Sequence, residues 1–203
     1  MTAMDYYYQG SELSQQGDYD GAIEVFTTAL SEDPDNFTLF EIRASTYKRK
    51  GETEKALADY TRMIALSPRN PDGWNSRGNL YRELGEYDKA IADYTHCIPL
   101  SPPNYGSYWS NRGISYYEKG DLDAALADLN QSIACWAEPR CSGWALYYRG
   151  IVWKEKGDMD KALEDFRLAA KYDSYNADIL YQAGYILFMR RNFKRAIRYF
   201  SKA

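Results

Sequence analysis

The sequence predicts an all-α protein made of six similar helical hairpins stacked one on the next. A short phrase recurs, as GDYDGAIEVF at 17–26, GEYDKAIADY at 85–94 and GDMDKALEDF at 157–166. Its alanine falls at Ala22, Ala56, Ala90, Ala125, Ala162 and Ala196, at intervals of 34, 34, 35, 37 and 34 residues. A glycine stands five residues before each of the first five, and Gly or Ala stands twelve before all six. A fixed period of this length marks a stacked repeat, because one such unit cannot bury its apolar face alone.

Each period reads as two helices. Gly17, Gly51, Gly85, Gly120 and Gly157 end the first helix, where a left-handed residue without a Cβ is favoured. Asp18, Asp121 and Asp158 follow and are placed to accept from the free N–H groups that open the second helix. The repeated alanine faces Gly10, Ala44, Gly78, Gly113, Gly150 or Gly184, small residues that let two helices approach closely. Bulky residues surround them: Tyr6, Phe40, Trp74, Trp109 and Leu146 in first helices, Phe26, Tyr60, Tyr94 and Phe166 in second ones. Pro34, Pro68 and Pro102 stop the second helix, and Pro99 ends or kinks it early in the third repeat. Asn36, Asn70 and Asn176 sit where the next helix is capped, with Pro71 suited to a first helical turn.

This pattern resembles the tetratricopeptide repeat, most fully in Trp74, Gly78, Tyr81, Ala90, Tyr94 and Pro102. The resemblance covers nearly the whole chain and implies a right-handed α-α superhelix, a solenoid, as a single array over residues 1–203. Its repeats run at about 3–36, 37–70, 71–104, 106–139, 143–176 and 177–203.

Arg43, Arg77, Arg112 and Arg149 each lie thirteen residues before the alanine, and Asp59, Asp93, Asp128 and Asp165 each lie three after it. The same four repeats carry both. The first repeat has Gln9 and Val25 at these places, and the last has Ala183 and Tyr199. Joint presence and joint absence predict structural ion pairs, since a buried arginine needs a bidentate carboxylate. A track of arginines for an anionic partner would have no need of the aspartates.

The period breaks twice, by one residue near Pro102–Tyr105 and by three between Trp136 and Ser142. Trp136 is expected to pack under that longer loop. Cys135 reads as a half-buried thiol and Cys97 as core. With no further Cys or His nearby, Cys135 and Cys141 suggest neither a bridge nor a metal pair.

The resemblance further implies that first helices line a concave groove that takes peptides. By spacing, the inward residues include Tyr7, Tyr8, Ser11, Glu41, Ser45 and Lys48 early on. The middle supplies Asn75, Asn79, Arg82, Ser110, Asn111 and Ile114. Later come Trp144, Tyr147, Tyr148, Ile151, Tyr181, Tyr185 and Phe188. Asn75, Asn79 and Asn111 suit an extended main chain, since an amide both donates and accepts. Trp144, Tyr148, Ile151, Tyr181 and Tyr185 supply apolar pockets. The alternative is that several of these tyrosines face the core. Co-chaperone members of the family grip a C-terminal carboxylate with two Lys, one Arg and two Asn. Only Asn79 and Asn111 match that set, with Asn75, Trp144 and Tyr148 standing where cations belong.

The chain carries a net charge of −4, which gives no support to nucleic-acid binding. The charge is uneven: residues 190–203 hold six basic residues and no acid, leaving 19 basic against 29 acidic in the rest. Phe193, Ile197 and Phe200 on that basic last helix are expected to be partly open. Neither an export signal nor an apolar run long enough to span a membrane appears, and three cysteines fit a reducing compartment, the cytoplasm. His96 has no nucleophile paired with it, and every glycine is explained by hairpin geometry rather than by a phosphate loop. The expectation is a non-catalytic scaffold or adaptor without metal or cofactor, binding a protein or peptide. The alternative is a self-assembling unit, a homodimer through the aromatic C-terminal repeats.

Overall fold

The computed structural model describes residues 2–135 and 143–203. Twelve α-helices occur among them and no strand. They fall into two compact units, Met1–Glu86 and Tyr87–Ala203.

The first unit holds α1 (Ala3–Gln16), α2 (Tyr19–Glu32), α3 (Phe37–Lys50), α4 (Thr53–Leu66) and α5 (Pro71–Glu83). Helices α1 and α2 form one hairpin, α3 and α4 the next, and α5 packs on α4. Its core gathers Ala22, Phe26, Leu39, Ala44, Ala56, Tyr60 and Met63 from the apolar stripes of α2, α3 and α4, with Tyr6 of α1 and Leu80 of α5 joining them. Burial pushes the Tyr60 phenol up to about 12.

The second unit holds α6 (Tyr87–Cys97), α7 (Ser107–Lys119), α8 (Leu122–Cys135), α9 (Gly143–Glu155), α10 (Met159–Tyr172), α11 (Ala177–Met189) and α12 (Phe193–Phe200). Hairpins α7–α8, α9–α10 and α11–α12 stack in order, with α6 against α7. After Cys97 the chain tightens into a 3-10 turn, Ile98–Leu100, because Pro99 has no N–H to continue the α-helical ladder. Tyr94, Cys97, Ile114, Leu129, Leu146, Val152, Phe166, Ile179 and Ile186 are its largest fully buried side chains.

The hinges follow from local chemistry. The five hinge glycines have φ between 75° and 93°. At the first, the Asp18 N–H reaches back to the Leu13 carbonyl at 2.9 Å, closing α1. The sixth hinge has Arg191 in that left-handed conformation instead, at φ 57°. Asp18 and Asp158 cap α2 and α10 through Gly21 and Lys161 N–H, while Asn36, Asn70 and Asn176 cap α3, α5 and α11. Gly113 makes room for α8 beside the repeated Ala125, as its spacing predicts, whereas three other small residues make room for rings. A Cβ on Gly10, Gly150 or Gly184 would lie 2.3, 2.8 or 2.7 Å from Phe26, Phe166 or Phe200. Trp136 and Cys141, and the insertion between them, lie outside the described residues; Cys135 is half-buried and Cys97 fully buried.

Candidate partner-binding site

The arginines at the repeated position join neighbouring hairpins. Arg43 Nε and Nη2 donate to the two Asp59 carboxylate oxygens, each at 2.8 Å, and its Nη1 donates to Thr27 Oγ1 at 3.0 Å. Arg112 repeats this with Asp128 at 2.7 and 2.9 Å and Thr95 at 3.0 Å. Arg149 does so with Asp165 at 2.8 and 2.6 Å and with Asn130 Oδ1 at 2.7 Å. Arg77 donates to Thr61 Oγ1 at 3.1 Å, and Asp93 is buried. For Arg43, Arg112 and Arg149 the carboxylate is from the arginine's own hairpin, and for all four arginines the hydroxyl or amide acceptor is from the hairpin before. The charge-assisted bonds to Asp59 and Asp128 raise the Arg43 and Arg112 guanidinium groups above their ordinary range. Sequence reasoning missed the third acceptor, although Thr27, Thr61, Thr95 and Asn130 all stand five residues after the repeated alanine.

These arginines are engaged in packing, so the surface left for a partner lies elsewhere. In the second unit it is aromatic. Trp144, at the start of α9, is 53% exposed; it stacks on Tyr147 at 5.7 Å and meets Tyr148 edge-on at 5.1 Å. One repeat on, Tyr181 and Tyr185 of α11 are both exposed and stack at 6.3 Å, with Phe200 5.8 Å from Tyr181. Lys154 ties the two helices: its Nζ donates to Gln182 Oε1 at 2.9 Å and lies 5.8 Å from the Tyr185 ring centre. Exposed Phe188 continues the α11 face and contacts Phe193 at 5.6 Å.

The remaining residues expected in the groove are placed differently. Tyr148 is half-buried against the cluster of Ile114, Leu129 and Val152, and Ile151 is half-buried against Phe166 and Ile186. Tyr147 also leans on Phe166, 6.0 Å away, and burial raises its phenol. Ile114 and Ser110, expected to face the groove, are buried instead; Ile114 lies between hairpins and Ser110 Oγ donates to the Ser107 carbonyl. Both are one turn or less from Gly113, whose backbone sits against α8, and that rotation turns their side of α7 inward. Asn111 is half-buried on α7, and Asn75 and Asn79 are half-buried on α5 in the first unit.

Among the described residues, no group of three or more His, Cys, Asp or Glu is placed to hold a metal ion. No helix there is long and apolar enough to cross a membrane.

Comparison with known proteins bears on this arrangement. Two family models described as tetratricopeptide repeat match, one over residues 7–71, 110–177 and 154–203 and the other over 42–106. A search of curated proteins finds no match. Among solved structures, PilW, a type IV pilus biogenesis factor, is similar with a TM-score of 0.79 and 22% identity, over 97% of this chain and 90% of that one. MamA is similar with a TM-score of 0.70 and 23% identity, over 87% of this chain and 94% of its own. YrrB, described as having an unusual peptide-binding site, is similar with a TM-score of 0.64 and 22% identity, over 89% and 91%. At such identities the likeness establishes the all-α repeat fold alone.

Proposed function

The chain belongs to the tetratricopeptide repeat family, and from that premise we propose that it is a non-catalytic interaction module of the cytoplasm. Its partner is a protein segment, peptide or helix, held on the first-helix face of a single array over residues 1–203. The observation that carries this reading is the run of exposed rings on successive first helices, Trp144, then Tyr181 and Tyr185. Large rings exposed side by side are surplus to core packing and typical of residues that anchor a partner. Tyr148 and Ile151 form the floor between them. Asn111, half-buried on α7 of the same unit, contributes a side-chain amide toward the ligand's main chain. The peptide-binding site for which YrrB is described belongs to the same ligand class.

The test is a peptide-array screen followed by calorimetry on a captured peptide. Trp144→Ala and Tyr185→Ala should each weaken binding about tenfold or more, as expected for an anchor worth roughly 2 kcal/mol. Lys119→Ala should leave affinity unchanged. Equal affinity in all four proteins would place the peptide elsewhere. The competing reading, a homodimer through the aromatic C-terminal repeats, draws on the exposure of Phe193 and Ile197. A tight dimer lost on Phe193→Asp would favour it.

A further inference from the structure

The junction between the fifth and sixth hairpins lacks the arginine arrangement found earlier. Ala183 takes the arginine's place, Tyr199 the aspartate's, and Arg167 the place of Thr27, Thr61, Thr95 and Asn130. A half-open cavity of about 450 Å³ lies there, between α10 and α12. Its rim carries five exposed cations, Arg167, Lys171, Arg195, Arg198 and Lys202, and its lining includes no acid. Among the described residues, none of the five meets a carboxylate, whereas Lys50, Lys119, Lys156 and Arg190 each do. Leu180 and Leu187 add an apolar floor. Concentrated unpaired charge of one sign beside apolar surface is the signature of a site for an oppositely charged surface.

The opposite charge is present in the same sequence. Residues 1–36, which supply α1 and α2, contain eight Asp and Glu and no Lys or Arg; Asp20 and Asp35 meet Lys50 and Arg62, and the other six form no ion pair among the described residues. Met4 and Tyr8 add exposed apolar surface on α1. We propose that the basic rim of the cavity between α10 and α12 docks against the acidic first hairpin of a second copy of this chain, with acidic side chains rather than the helices entering the cavity. The contact is heterologous: one copy's last hairpin meets the other's first, and repetition closes a ring or extends a chain of molecules. A symmetric pairing of two last hairpins would instead bring two sets of six cations together, which like-charge repulsion opposes. This inference does not rest on the aromatic face, and failure of either leaves the other standing.

The experiment is sedimentation of the 203-residue chain from 10 to 200 μM, in about 50 and 500 mM NaCl. Association is expected at low salt and should weaken tenfold or more at high salt, since exposed charges are screened within a few ångströms there. Arg167→Glu with Arg198→Glu, or Glu12→Lys with Glu24→Lys, should each abolish self-association. All four positions are exposed on helices, so circular dichroism should be unchanged. An equimolar mixture of the two variants should form a one-to-one complex, because swapped charges match again. A chain that stays monomeric at low salt overturns the proposal, even if poly-glutamate binds the cavity. So does association indifferent to salt and to both double substitutions.

Discussion

Arg43 holds Asp59 by two bonds of equal length and spends its remaining terminal nitrogen on Thr27, sixteen residues the other way along the chain. With side chains 15% and 8% exposed, the pair is largely withdrawn from water. Arg43→Ala would leave a buried carboxylate without its cation, at a cost of about 3 kcal/mol. Replacing both partners by apolar residues, Arg43→Met with Asp59→Leu, should recover most of that loss. Urea unfolding of the two variants measures both.

The exposed ion pairs between neighbouring hairpins predict the contrary result. Lys119 and Asp88 meet at 2.6 Å, yet both side chains are open to solvent. The attraction is screened and two long side chains must be ordered to form it. Lys119→Ala should leave the urea midpoint unmoved, beside a large shift for Arg112→Ala at the same hairpin.

Gly150 and Gly157 separate two reasons for glycine. A methyl group on Gly150 would press on the Phe166 ring, so Gly150→Ala should destabilise by about 1–3 kcal/mol, and Phe166→Leu should relieve part of it. Gly157 has open space around it and a φ of 83°, so Gly157→Ala should cost about 1 kcal/mol through the backbone alone. Gly157→Asn should cost less, because asparagine tolerates that conformation. Thermal unfolding of the three variants distinguishes the mechanisms.

Glu41 on α3 is half-buried, and burial, with Asp72 nearby, raises its carboxyl above the ordinary range. The folded state therefore binds this proton more tightly than the unfolded chain does. The stabilisation is fully present below the ordinary carboxylate pKa of about 4.3 and is lost as pH rises through the folded-state value. Glu41→Gln should raise stability at pH 7 and make little difference at pH 3.5. Unfolding midpoints at the two values test the sign.

Much of the framework was readable from residue positions alone. Hinge glycines and capping asparagines act through their own turn, so Gly17 and Asn36 declare themselves in sequence. The coupling of Arg43 to Asp59 is visible because both columns change together. The role of Thr27 was not, since threonine is common on helices and its hydroxyl is held by a residue from the next hairpin. Ile114 was misplaced although the pattern already turned Gly113 toward Ala125: one residue on, it lies only about 100° around the helix from Gly113 and is buried beside it. The boundary at Glu86 falls inside the third repeat, beside a hinge like all the others, because compactness depends on contacts between distant residues. Of the aromatic residues, spacing could say that Trp144 and Tyr148 share a helix side, but not that Tyr148 sinks while Trp144 stays open.

Every arginine that reaches back to a threonine or asparagine makes its hairpin a stakeholder in the one before. Peeling such a hairpin away exposes a carboxylate, strands a guanidinium and releases its neighbour, so loosening is penalised twice. The sixth hairpin owes nothing of this kind: Ala183 and Tyr199 hold no such bond, and its second helix spans only Phe193–Phe200. Thermal opening should therefore begin at that end and stall at Arg149, with amide protons of α11 and α12 exchanging ahead of those in α9 and α10.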